Sequence, residues 1–150
     1  MPLSNPNSKA EALPADLIEW TDGKVLTATG SPFEPVQHNG ITYQMAQSNN
    51  ALVFPGLGLG VAVTKATRIS DGMIAAAANA VAAQSDAGTP GASLLPPMTN
   101  LRAVSAAVAI AVAEAAADEG LNRVDLTNPV QQVHDAMWQP EYPHLEIIPD

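Results

Sequence analysis

The stretch VLTATGSP, residues 25–32, decides the fold that the sequence predicts. Its first five residues form a short, largely apolar, β-prone run, and glycine, serine and proline end it. A run of this kind is typical of a strand that is buried on both faces. Strands buried in this way belong to parallel sheets covered by helices, so the sequence predicts an α/β fold.

Four helices are predicted around this strand from their start and stop signals. They begin at Pro14, at a Ser70 cap, near Thr99 and after an Asn128 cap, and Gly120 ends the third. The first closes at residues 22–23 and the last near residue 138. The apolar positions assigned to the last three helices are Met73, Ile74, Ala77 and Val81; Leu101, Val104, Val108, Val112 and Ala115; and Val130, Val133 and Met137.

The segments between these elements are predicted to be irregular or extended. Residues 33–40 are interpreted as a loop and turn, residues 41–45 as a short extended piece, residues 85–97 as an exposed connection and the tail through Pro149 as irregular. The chain opens on the polar turn Leu3-Ser4-Asn5-Pro6, a type of turn that follows strands. Residues 1–150 are therefore expected to begin mid-domain. They are expected to form an incomplete Rossmann-like parallel sheet with a mainly helical C-terminal portion.

Three glycines, Gly56, Gly58 and Gly60, suggest a dinucleotide-binding loop or a tightly packed helix. The phosphate fingerprint needs a preceding strand and a small residue where Val61 stands, and Pro55 precedes the first glycine. The sequence therefore favours a helix on which Gly56 and Gly60 let another backbone approach closely. Three helical glycines need some such reason, since each costs up to about 1 kcal/mol relative to alanine.

Composition excludes several classes of partner and site. A net charge of −9, with six scattered cations, disfavours nucleic acid, and the lack of cysteine excludes disulfides and thiolate metal sites. The apolar runs at residues 51–63 and 106–113 fall short of the roughly 20 residues of a membrane span, so buried helices are expected. No secretory signal is recognised at the start, and a cytoplasmic location is the default expectation.

Catalytic and metal-binding groups do not assemble from the local sequence. His38, His134 and His144 stand apart from one another, without the paired spacing of metal ligands on a helix. Amides at loop positions are more informative, because Asn5, Asn49 and Asn50 can each donate and accept hydrogen bonds. They suit a carboxylate or carboxamide ligand, with ordinary turn chemistry as the alternative. Ligands of parallel sheets bind beyond the carboxyl ends of the strands, where the loops 4–6 and 30–32 are expected.

A set of short motifs resembles one known family along nearly the whole chain. The motifs, in order, are LSNP (3–6), SKAE (8–11), WTDG (20–23), ATGSPF (28–33), QSNN (47–50), FPG (54–56), RISD (68–71) and WQPEY (138–142). Their order and spacing resemble the carboxyl-terminal part of the NAD(P)-binding domain of malic enzymes. Each motif is weak alone, but together they are specific.

The resemblance implies oxidative decarboxylation of malate to pyruvate with NAD or NADP and a divalent Mg²⁺ or Mn²⁺ ion. It implies that Asn5 lies at the substrate and nicotinamide, and that Asn49 and Asn50 contact the malate carboxylate and its surroundings. The family's catalytic tyrosine and lysine, its acidic metal ligands and its phosphate loop have no counterpart here, so no catalytic residue or metal ligand is assigned.

Malate and pyruvate are the expected small-molecule partners, and neither nucleic acid nor a membrane is expected. An unpaired strand edge at residues 25–29 predicts a homo-oligomer. The isolated chain is expected to be inactive. A fragment of a malolactic enzyme and a noncatalytic domain that binds a ligand or partner remain as alternatives.

Overall fold

The computed structural model describes residues 1–142, so His144 and the predicted irregular tail lie outside the described residues. Five α-helices and four short strands are defined within that range. In chain order they are α1 (Pro14–Trp20), β1 (Ala28–Thr29), β2 (Val36–His38), β3 (Ile41–Tyr43), β4 (Ala46–Gln47), α2 (Phe54–Thr64), α3 (Asp71–Ala82), α4 (Leu101–Asp118) and α5 (Pro129–Ala136).

The predicted parallel sheet is present but small. β1 pairs in parallel with β4, with Ala28 opposite Ala46 and Thr29 opposite Gln47. Thr27 and Ala28 are buried, as expected for a covered strand, whereas Leu26 is 68% exposed. The prediction of a strand over residues 25–29 was therefore too long, because only its last two residues find a partner on the equally short β4. The α/β class and the incomplete Rossmann-like sheet are confirmed.

A β-hairpin replaces part of the loop predicted for residues 33–40. β2 and β3 pair antiparallel, and Asn39 and Gly40 form the two-residue turn with φ of 49° and 78°. Positive φ at both positions gives a turn whose twist matches that of the strands, and Asn-Gly adopts it readily. The turn was predicted correctly, and β3 lies within the extended piece predicted for residues 41–45, but β2 was not predicted.

The helical portion follows its capping residues. The Ser70 hydroxyl accepts a hydrogen bond from the Met73 amide at 3.1 Å, and the Asn128 side chain accepts one from Gln131 at 3.1 Å. Gly120, at a φ of 66°, lies just past the end of α4. Ser70 and Asn128 accept hydrogen bonds from free amides at the starts of helices, and Gly120 adopts the left-handed conformation that ends one. Two assigned apolar positions are wrong, since Ile74 and Val130 are 53% and 60% exposed.

Close packing of α2 against α4 explains two of the three glycines. A Cβ atom at Gly56 would lie 2.5 Å from Val108 Cβ and 2.6 Å from the Ser105 carbonyl oxygen, and one at Gly60 would lie 2.8 Å from the Ala109 oxygen. At Gly58 a Cβ would meet nothing within 4 Å. The glycines lie inside a helix, which confirms the packing interpretation over the phosphate loop.

α4 is the central helix of the core. Val108 and Val112 are fully buried and lie in one cluster with Leu52, Met73 and Ala77 from the surrounding elements. Within residues 1–142, Met98–Asp118 is the one helix long and apolar enough to cross a membrane by length and composition, a test that buried core helices also pass. Its buried face contacts α2 and α3 here.

Candidate functional site

Two loops meet at the carboxyl ends of the parallel strands. β1 ends at Thr29 and β4 at Gln47, and the Ser48 amide donates to the Thr29 carbonyl at 2.8 Å. The Gln47 side-chain amide donates to the Gly30 carbonyl at 3.4 Å. These bonds fix the start of the loop after β4 beside the loop after β1, at the edge where parallel sheets bind their ligands.

A third loop, the Ser4-Asn5-Pro6 turn, joins the same edge. The Gly30 amide donates to the Pro2 carbonyl at 3.0 Å, and a Cβ at Gly30 would lie 2.7 Å from the Leu3 carbonyl carbon. Only glycine allows the two backbones to approach this closely. The buried Ser31 hydroxyl donates to the Asn5 side-chain oxygen. The expected meeting of loops 4–6 and 30–32 is thus found in the structure.

Asn49 has its side-chain oxygen occupied and its amide nitrogen free. It lies two residues beyond β4 and caps a short 3-10 helix, Asn50–Leu52, by accepting a hydrogen bond from the Ala51 amide at 2.9 Å. This is the turn chemistry offered as the alternative to ligand binding. Because the cap uses only the oxygen, the NH₂ group keeps both of its donors, and among residues 1–142 it has no acceptor.

Asn5 also has its side-chain oxygen bonded and its amide nitrogen free. Its oxygen accepts from Ser31, and its NH₂ group has no hydrogen bond to any residue that the structure describes. Asn5 is exposed, whereas Asn49 is half-buried. Two amides, fixed through their oxygens on loops at one sheet edge, therefore present hydrogen-bond donors only. Donors without a full positive charge suit the oxygen atoms of a carboxylate or a carboxamide.

Asn50 is placed differently from the other two asparagines. It is exposed, begins the 3-10 helix, and its side chain forms no hydrogen bond within residues 1–142. It neighbours Asn49 in sequence and so lies beside the edge, but no bond orients its amide.

Glu11 and Ser31 support the site and were not predicted as functional residues, although both lie in the quoted motifs. The Ser4 hydroxyl and amide donate to the Glu11 carboxylate at 2.5 and 3.3 Å. These hydrogen bonds, first that of the Ser4 hydroxyl, lower the pKa of Glu11 below its ordinary value, since they favour the charged carboxylate. Glu11 thus holds the turn that carries Asn5. Contacts across 7 and 26 residues leave no local sequence signal.

Metal-binding side chains do not converge in the described part of the chain. No group of three or more histidine, aspartate or glutamate residues suited to a metal ion is found within residues 1–142. His38 contacts Asp22 at 3.3 Å, and His134 lies 3.5 Å from Asp135. Apart from the Glu11 carboxylate, which accepts hydrogen bonds from Ser4, the groups described at the sheet edge are amides and hydroxyls, and this set does not fit an Mg²⁺ or Mn²⁺ site.

A separate apolar groove of about 700 Å³ lies between α2, α4 and the end of α5. Pro55, Leu101 and Trp138 are among its lining residues, and none of the three asparagines lines it. Its cation, Arg102, donates to the Trp138 carbonyl at 3.1 Å and to the Gln139 side chain at 3.0 Å. The groove therefore offers volume, and the sheet edge offers oriented polar groups.

Comparison with known families identifies the family of the chain. The family model described as "Malic enzyme, NAD binding domain" matches residues 1–117. The chain belongs to the malic enzyme family. The resemblance seen in the motifs is thereby confirmed, and the sheet edge lies within the residues that the family model matches.

Curated relatives agree with this assignment. The chain is 52% identical over 148 residues to "NAD-dependent malic enzyme 3" of Bacillus subtilis, and this match covers 99% of the chain and 26% of that protein. It is 46% identical over 144 residues to "NAD-dependent malic enzyme" of Aliivibrio fischeri, covering 94% and 25%. It is 45% identical over 141 residues to "Malolactic enzyme" of Leuconostoc mesenteroides, covering 94% and 26%. The chain spans about a quarter of the length of these relatives.

Proposed function

We propose that this chain is the carboxyl-terminal portion of the NAD-binding domain of a malic enzyme that converts malate to pyruvate. The observation that carries the proposal is the pair of amide donors, Asn5 and Asn49, at the carboxyl edge of the parallel strands. The names of the Bacillus and Aliivibrio relatives favour NAD over NADP as the cofactor.

The described residues bind and orient a ligand in this proposal. The NH₂ groups of Asn5 and Asn49 donate to oxygen atoms of malate or of the nicotinamide carboxamide, and Asn50 supplies a further donor. Ser31 and the Ala51 amide hold the two oxygens, so the NH₂ groups are oriented before a ligand binds and need little reorganisation. When bound, NAD would supply the acceptor for the hydride of malate.

The divalent metal is not assigned to any described residue. Mg²⁺ or Mn²⁺, which the family resemblance implies, would be bound by parts of the whole enzyme other than residues 1–142. We therefore expect the isolated chain to lack turnover, since acid, base and Lewis acid are all needed. A cytoplasmic, homo-oligomeric enzyme without nucleic-acid or membrane partners is part of the same proposal.

A chimera tests the proposal directly. The chain replaces the matching quarter of the Bacillus subtilis relative, and NADH formation is followed with malate, NAD and Mn²⁺. We expect turnover from the chimera and none from the isolated chain under the same conditions. A folded chimera without activity, or malate-dependent NADH formation by the isolated chain, would contradict the proposal.

A malolactic enzyme is the second candidate, because the Leuconostoc relative is 45% identical over 94% of the chain. The two candidates differ in product, so pyruvate and lactate are measured in chimeras made with the Bacillus and with the Leuconostoc relative. Lactate from both chimeras, without accumulation of NADH, would favour the malolactic function. Binding of malate by the isolated chain with no activity in either chimera would favour a noncatalytic binding domain.

A further inference from the structure

The turn of the β2–β3 hairpin combines three features that favour a chemical change. Asn39 is the one asparagine in the sequence that glycine follows. Both residues are exposed, and the space beside Gly40 is open, with nothing within 4 Å of a Cβ built there. The Gly40 amide donates no hydrogen bond to any described residue, so its nitrogen is available as a nucleophile.

Two side chains contact the amide nitrogen of Asn39. Nδ2 lies 3.0 Å from the Asp22 Oδ1 atom and 3.1 Å from the His38 Nε2 atom. His38 Nε2 also lies 3.3 Å from Asp22 Oδ1, so the carboxylate adjoins both the amide and the imidazole. Asp22 lies just after α1 with a φ of 51°, and Asn39 lies in the hairpin turn with a φ of 49°, so two separate segments bring these groups together.

We propose that Asn39 is a self-modifying site that converts to aspartate or isoaspartate, with His38 as the proton donor. The Gly40 nitrogen loses its proton to solvent base and attacks the Asn39 Cγ atom, which forms a five-membered ring. The Cγ–Nδ2 bond then breaks. Water opens the ring at either of its two carbonyls, and no oxidant or cofactor takes part.

His38 acts where the leaving nitrogen forms. In the intact amide, Nδ2 is a donor and its lone pair is delocalised, so it does not take up a proton. After the ring nitrogen has attacked, Nδ2 becomes a basic amine, and protonated His38 Nε2, 3.1 Å away, supplies the proton with which ammonia leaves. Asp22 Oδ1 contacts both Nδ2 and Nε2, so it holds the imidazole beside the leaving nitrogen.

The product changes the contact between the hairpin and the end of α1. The Asn39 NH₂ group that bonds Asp22 is replaced by a carboxylate oxygen, which places two like charges side by side. The reaction therefore releases the hairpin turn from Asp22, and the modified chain is expected to unfold at a lower temperature than the unmodified one. The same loss is expected for the Asn39→Asp variant.

Peptide mapping of the full chain during incubation at neutral pH tests the proposal. We expect aspartate and isoaspartate at position 39 and slower change at every other asparagine. His38→Gln keeps a polar side chain but supplies no proton. This substitution should slow the reaction at Asn39 in the folded chain about tenfold. The effect is smaller than the roughly 10²-fold rate effect of positioned general acids because His38 is partly exposed.

Denaturant supplies the matched control. In urea the contact of His38 with Asn39 is lost. The unsubstituted chain and the His38→Gln variant should therefore be modified at Asn39 at equal rates. Asp22→Asn, which tolerates the same positive φ, provides a second folded variant and should also slow the reaction. The proposal would be overturned if Asn39 stayed unmodified in the folded chain. It would also be overturned if neither substitution changed the rate of the reaction at Asn39 in the folded chain.

Discussion

Replacing Gly56 with alanine should destabilise the fold, and the same change at Gly58, two residues along the same helix, should not. At Gly56 the new methyl group would meet Val108 Cβ at 2.5 Å and the Ser105 carbonyl oxygen at 2.6 Å. One of these atoms is backbone and the other belongs to a stiff β-branched side chain, so neither moves easily. At Gly58 the methyl group enters open space.

The size of the effect follows from two opposing terms. Alanine in place of glycine favours a helix by about 1 kcal/mol at either position. Overpacking a core contact costs roughly 1–3 kcal/mol, and the contact with backbone favours the upper half of that range. We therefore expect Gly58→Ala to stabilise by up to about 1 kcal/mol. Gly56→Ala should destabilise by about 1–2 kcal/mol once its helix gain is subtracted.

Urea unfolding of the two variants beside the native chain measures these free energies. The difference between the variants removes the helix-propensity term, which they share, and leaves the cost of the α2–α4 contact. A gap of about 2 kcal/mol corresponds to roughly 4–8 °C in Tm. Equal stabilities of Gly56→Ala and Gly58→Ala would refute the close packing of α2 on α4.

Three further predictions concern capping, pH and assembly. Ser70→Ala removes the cap of α3 and should lower the free energy of unfolding by about 1 kcal/mol in the same urea experiment, whereas Ser70→Asp should not. The Glu11 pKa is lowered by folding, so its bond to Ser4 is complete above the ordinary glutamate pKa of about 4.3 and is lost as pH falls through the folded value. An NMR titration of the Ser4 amide should show this step, and Glu11→Gln should abolish it. Light scattering should show a homo-oligomer, since among the described strands β1 and β4 each have one unpaired edge, and a monodisperse monomer would contradict it.

Features set by local sequence were predictable here. The Ser70 and Asn128 caps and the Gly120 stop each act within a few residues, and all appear as predicted. The glycine spacing of α2 can also be seen locally, although the helix that packs on it, α4, is distant in the sequence. Strand β2 was missed because two prolines favoured a loop, although Asn39-Gly40 is itself the strongest short-range hairpin signal. Strand length was overestimated because it depends on the partner strand, which the local run does not reveal.

The arrangement of the site depended on contacts that sequence does not reveal. The sequence singled out Asn5, Asn49 and Asn50 as amides, and their role in binding stays a prediction. The bond between Ser31 and Asn5 joins residues 26 positions apart, and it decides which half of the Asn5 amide faces outward. Whether an amide presents a donor or an acceptor is thus a property of the folded chain.

The central claim is that Asn5 and Asn49 act as hydrogen-bond donors to oxygen atoms of malate or of the nicotinamide carboxamide, and Asn49→Asp in the active chimera tests it most directly. Aspartate caps the 3-10 helix as well as asparagine does, so the fold is kept while the NH₂ donor becomes a repelling carboxylate oxygen. We predict a loss in kcat/KM for malate of about 10- to 160-fold, from the roughly 1.5–3 kcal/mol of a hydrogen bond to a charged group. The exposed Asn79→Asp, on α3, is the charge-matched control and should keep native kinetics. Native kcat/KM in Asn49→Asp would contradict the claim.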